Sequence, residues 1–184
     1  MGLLAACSHE RADPRGQPEI YRGPLTVVAK DHSGGTIIQR SAEARSRTTW
    51  LRPDGRSHDL ISDGVEQRAY SWSSDRPQVE ARHTPKREPP RYWLAPDRTE
   101  PMGACEAAGE IGRVWRHTSP PNFKNPQARI TDACVTSDGV MIRRHLERFP
   151  DGASSIEWEA ISVSRAPLPS NTFVPPSGGA TGGS

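Results

Sequence analysis

The chain is poor in the side chains that build large hydrophobic cores. Leu, Ile, Val and Phe make up about 16% of its 184 residues, under the ~20% at which folding comes into question. That warning applies when one sign of charge dominates. Here 24 basic residues oppose 22 acidic ones, for a net charge of +2. Disorder throughout is therefore not implied, and a modest core with polar ends is expected. Long helices are excluded too, because 18 prolines and 16 glycines punctuate the chain and both interrupt helices. No apolar run approaches the ~18 residues that would span a bilayer. The basic residues are scattered among acids, with no aromatic-rich RNA or DNA motif beside them, so nucleic acid is not an expected partner. There is no Gly-x-Ser-x-Gly, phosphate loop or dinucleotide fingerprint. No C-x-x-C or clustered Cys/His spacing offers a metal site. The expectation is a non-enzyme without cofactor or metal.

What the chain does have is period-two alternation broken by turns. From Gln127 to Phe173, Ile130, Cys134 and Val135 mark one β-like run and Val140, Ile142 and Leu146 a second. Ile156, Trp158 and Ala160 mark a third, alternating with Glu157 and Glu159. Ser137-Asp138-Gly139 and Pro150-Asp151-Gly152 separate the three, the strongest short-range hairpin signal. The apolar phase then slips from Ala160 to Ile161 and Val163, which predicts a β-bulge. Upstream, strand-like runs cover Tyr21–Lys30, Thr36–Arg40, Ser46–Arg52, His58–Ser62, Val65–Ser73, Gln78–His83 and Ile111–His117. Thr84–Pro90 is too proline-rich for a central strand. Pro96–Gly109 reads as irregular, with one helical turn around Glu106-Ala107-Ala108. The fold class expected is all-β: one strongly curved antiparallel sheet of roughly eight to eleven strands, forming an open or incomplete barrel. Residues 19–176 form this single domain, 1–18 a polar tether, and 177–184 a flexible Gly/Ser tail.

Three cysteines divide as one terminal and two internal. Cys105 and Cys134 each lie in or beside a strand-like run. In an oxidising compartment they would close as a disulfide, whereas in a cytosolic protein they would be two buried thiols.

The N-terminal Leu3-Leu4-Ala5-Ala6-Cys7 resembles a bacterial lipobox, the end of a lipoprotein signal peptide. The resemblance implies that Cys7 carries a diacylglyceryl thioether, and that Ser8 after it directs the protein to the outer membrane, facing the periplasm. A full leader has a charged region and roughly 7–15 apolar residues, so the match covers only its end. The polar stretch Ser8–Pro18 then suits an extended tether. Myristoylation of Gly2 fails because Ala6 stands where Ser or Thr is wanted. The segment Arg47–Trp72 runs strand, Pro-Asp-Gly, DLISDG, strand with Tyr and Trp. This rhythm is similar to the middle of the periplasmic outer-membrane lipoprotein carrier and its lipid-anchored receptor. The close, Ser164–Pro176, looks like the end of related envelope proteins. The family implies an incomplete barrel that holds acyl chains in an apolar hollow under helices. No amphipathic helix precedes the first strand here, and the internal Cys pair is outside the family's core pattern.

Tryptophans are the candidates for lining such a hollow: Trp50, Trp72, Trp93, Trp115 and Trp158. The lining set singled out is Trp50, Tyr70, Trp72, Trp115 and Trp158, with ordinary core packing as the competing account of each. The six histidines form no cluster. The basic trio Lys86, Arg87 and Arg91 reads as a solvated loop or a contact for anionic headgroups. Two functions follow. One is a lipid-anchored envelope protein that binds an acyl chain or other apolar ligand. The other is an envelope structural or protein-interaction module with a filled interior.

Overall fold

The computed structural model describes residues 16–86, 90–120, 129–148, 153–177 and 181–182. Within them the protein is all-β: eleven antiparallel strands lie in one curved sheet that stays open rather than closing into a barrel. In chain order the strands are β1 (Leu25–Asp31), β2 (Thr36–Ala42), β3 (Arg45–Leu51), β4 (Ser57–Asp63), β5 (Arg68–Ser73), β6 (Arg76–His83), β7 (Thr99–Ala107), β8 (Glu110–Ser119), β9 (Arg129–Thr136), β10 (Met141–Arg148) and β11 (Ala153–Ser164). A two-residue β12 (Thr181–Gly182) pairs parallel with β6, and Pro96–Arg98 forms a 3-10 turn before β7. The order across the sheet is β12-β6-β5-β4-β3-β2-β1-β11-β10-β9-β8-β7. Two meanders are thus welded by β1 and β11. No described helix is long and apolar enough to cross a membrane.

Alternation explains the strands. In β1, Leu25, Val27 and Ala29 are buried while Lys30 is exposed. The bulge expected near Ala160 is present: Val28 pairs with Ser162 and Ala29 with Ala160, which leaves Ile161 as the extra residue. Further register shifts fall between Arg144 and His145 and between Met141 and Arg143. Bulges bend sheets, and β7 accordingly touches β10 and β11 as well as β8.

One expectation is corrected. Pro96–Gly109 is not an irregular stretch with a helical turn, because Thr99–Ala107 is β7. Pro101 and Gly103 hide the alternation, and the structure absorbs the break as a register shift between Pro101 and Ala104. Ala108 and Gly109 then turn the chain at φ 55° and 73°, the paired left-handed residues of a tight hairpin.

The main core gathers Leu25, Val27, Ala29, Ile37, Ile142 and Trp158 around the bond between Cys105 and Cys134, with Trp50 and Tyr21 packed against it. This disulfide joins β7 to β9 across the intervening β8, with Cα atoms 6.1 Å apart. Gly112 makes the crossing feasible: it pairs with Cys105 on one side and Thr136 on the other. A Cβ there would press on the Val135 carbonyl and the Cys134 sulfur. A second cluster, Trp115, Ala133 and Val135, lies under Trp93 and Leu94 of the β6–β7 connector.

After β11 the chain crosses the first meander as a proline-rich strap, residues 165–177. Ser164, Thr26, Arg40, Arg47 and Ile61 are successive register partners, a row running across five strands. On β4 this face buries Asp59, Ile61 and Asp63. Arg47 is the hub. It binds Asp59 at 2.9 Å, donates to the Thr172 carbonyl of the strap at 3.4 Å, and lies 5.3 Å over the Trp72 ring.

Replacing both internal cysteines by serine is expected to cost about 3–4 kcal/mol from loop-closure entropy. Urea denaturation followed by tryptophan fluorescence measures it. An unchanged midpoint would mean that the core, not the crosslink, holds β7 in place.

Candidate functional site

A cleft with a volume of about 680 Å³ opens where the first meander begins. Its floor is set by register. Leu25 of β1, Ser41 of β2, Ser46 of β3 and Ser62 of β4 are successive partners, so a row of three serines lies where large side chains would have filled the space. Its walls come from outside the sheet: Ile20 and Tyr21 before β1, and Pro85, Pro90 and Trp93 of the connector. The site therefore has apolar walls over a hydroxylated floor, with Arg22, Arg45 and Lys86 also bordering it.

The two wall segments are laced to each other. Gln17 and Leu94 exchange hydrogen bonds of 3.3 and 3.2 Å. The Ile20 amide donates to the Arg91 carbonyl at 2.9 Å, Arg22 donates to the Pro90 carbonyl at 2.6 Å, and Arg91 pairs with Glu19. Both segments are also pinned to the β9–β10 turn. The Gly139 carbonyl accepts from the Tyr21 amide at 3.1 Å and from the Trp93 indole at 2.9 Å. Glycine is required at this point, since φ is 86° and a Cβ would run into the Glu19 carbonyl. Beside it, Arg165 clamps Asp138 at 2.7 Å and Glu110 at 2.8 Å. The Arg165 guanidinium, working against desolvation and aided by the Thr136 hydroxyl, holds the Asp138 carboxyl below its ordinary value.

The lining residues singled out from sequence do not converge on one hollow. Trp158 is buried in the main core and Trp50 packs on it, with its ring tilted against His58 and the ring centroids 5.4 Å apart. Trp115 is buried in the second cluster. Tyr70 pairs with Ile61 and Trp72 with Asp59, which places both on the strap face. The tryptophan that borders the cleft is Trp93, from a connector without periodicity to aim it. Cys7 and Arg87 lie outside the described residues. Asp31 accepts from the Ser33 amide and hydroxyl and from the Gly35 amide, which is turn chemistry. Among the described residues no three His, Cys, Asp or Glu side chains gather as a metal site.

No family model and no curated protein matches the chain. Among solved structures it is similar to MucB in complex with MucA(peri), with a TM-score of 0.36 at 14% identity over 86% of this chain. The chain spans 54% of that MucB chain. It is also similar to a domain described as an outer membrane lipoprotein-sorting protein from Vibrio parahaemolyticus, with a TM-score of 0.32 at 10% identity, covering 83% of this chain and 88% of that one. The second is of the kind that the Arg47–Trp72 rhythm resembles. Scores this low leave the ligands and partners of those proteins with those proteins.

The Asp138 clamp has a definite pH signature. A carboxyl lowered on folding contributes stability that is present above its unfolded value, about 3.9, and fades as pH falls through the lower folded value. Asp138→Asn is expected to melt roughly 2 °C lower than the parent at pH 7, discounted for a partly exposed pair. The gap should narrow as pH falls below about 3.9 and through the lowered folded value. Melting curves across that acid range check it, and a gap that stays the same size throughout would rule out the ionic clamp.

Proposed function

We propose that the protein is a non-enzymatic cell-envelope protein that holds an acyl chain or another apolar group in the serine-floored cleft. The observation carrying this reading is the cleft itself. Its volume of about 680 Å³ lies in the roughly 300–1,000 Å³ range of small-molecule sites, which are mostly apolar with a few placed polar groups. Ile20, Tyr21, Leu25 and Trp93 supply the apolar contacts, and Ser41, Ser46 and Ser62 the polar ones. The compartment reading is supported by the Cys105–Cys134 bond, since disulfides persist outside the reducing cytosol. The lipobox-like Leu-Ala-Ala-Cys makes Cys7 the proposed point of attachment to the outer membrane.

A second reading, an interaction module with a filled interior, is favoured by the burial of Trp115 and Trp158 in the sheet's own packing. Native mass spectrometry of the soluble domain, purified from its host without detergent, separates the two. Under the first reading the spectrum carries an added mass of a lipid or other apolar molecule. Ser62→Trp, which fills the floor, removes that mass while leaving the melting point within a few degrees. Bare protein in both samples would favour the module. For the anchor, Cys7→Ser is expected to move the full-length protein from the membrane to the soluble fraction, and continued membrane retention would count against lipidation.

A further inference from the structure

The geometry points to a second site, at the opposite end of the first meander, that binds a phosphate group. Alternate turns of a meander lie at opposite ends, so the β3–β4 and β5–β6 turns sit away from the serine-floored cleft. Between them is a cleft of about 260 Å³ bordered by Arg52, Arg56, Arg76, His58, Ser57 and Ser73, with Asp75 also on its border. The two turns are locked together: the Ser57 amide donates to the Ser74 hydroxyl at 3.0 Å, and the Ser74 amide to the Ser57 carbonyl at 2.9 Å. His58 lies beside Trp50, the two ring planes tilted by 34°.

The charge is unbalanced in a particular way. Arginines at the other clefts are engaged: Arg22 with the Pro90 carbonyl, Arg45 with Asp63, Arg98 with Asp97 and Arg143 with Glu159. Here Arg56 pairs with Asp54 at 2.6 Å. The guanidiniums of Arg52 and Arg76 have no ion pair or hydrogen bond among the described residues. Asp54 and Asp75 feel their fields without pairing with them. Two free guanidinium forks, with the Ser57 hydroxyl beside them, offer more donors than the two oxygens of a carboxylate can accept, while the Ser73 hydroxyl is engaged by Asp75. A phosphate monoester matches them, because planar guanidinium forks bind phosphate oxygens bidentately. The source is a lipid headgroup or a soluble phosphate compound, and the chemistry is the same.

The test titrates the full chain with inorganic phosphate by calorimetry, with flotation in parallel on vesicles containing phosphatidic acid, whose headgroup is a phosphate monoester. Saturable phosphate binding is expected, weakened at least tenfold in Arg52→Ala/Arg76→Ala and unchanged in Arg113→Ala, an exposed arginine outside the cleft. Vesicle binding that phosphate competes away assigns the site to a headgroup, and its absence to a soluble ligand. The proposal is overturned by no saturable binding, by binding that survives the double substitution, or by equal loss in Arg113→Ala. The site shares no residue with the serine-floored cleft, so its failure leaves the function proposed above untouched.

Discussion

The rest of the structure depends on one covalent constraint, the Cys105–Cys134 bond laid across β8. A chain this short of Leu, Ile, Val and Phe cannot hold a coiled sheet by burial alone. The bond draws β7 inward until Cys105 and Ala107 join Leu25, Ile142 and Trp158 in one core. Gly112 is the partner of that constraint, since only a residue without a side chain lets the sulfurs pass. With β7 drawn in, the outer face of β8 and β9 still needs cover. Trp93 and Leu94 supply it, and in doing so bring the connector to where it walls the cleft.

Away from that core the sheet is organised by charge. Arg45 with Asp63, Arg47 with Asp59, Arg116 with Asp132, and Arg143 and Arg144 with Glu159 and Glu157 are all pairs between adjacent strands. Cross-strand ion pairs contribute little singly, but they fix register, and a one-residue slip would set every pair out of step. This lacing lets a thin core coexist with a long, ordered sheet.

Much of this was legible in the sequence where the signal was local. Alternation located most strands, Asp-Gly and Ser-Gly-Gly located turns, and the slip at Ala160 and Ile161 located the bulge. The two internal cysteines left a bond or two buried thiols open, and the structure shows the bond. β7 was not legible, because Pro101 and Gly103 erase the period that marks a strand. The β1–β11 pairing was not legible either, being a contact between residues far apart in the chain. The cleft was hidden for a related reason: Ser41, Ser46 and Ser62 mean nothing separately and become a floor only once three strands are set in register. A tryptophan's place in a strand tells which side it points to. It does not tell which sides of a curved sheet meet, and that is why Trp50, Tyr70, Trp72, Trp115 and Trp158 part company.

The strap after Ser164 gives the molecule an unequal mechanical character. A ladder of hydrogen bonds resists strands sliding lengthwise far better than it resists an edge being peeled away. Residues 165–177 run across the strands like a batten across planks, with Thr172 tied down by Arg47. Force applied at the β6 edge would therefore have to tear this batten loose before the first meander could open one strand at a time. The second meander has its crosslink instead, so each half of the sheet carries its own guard against unzipping.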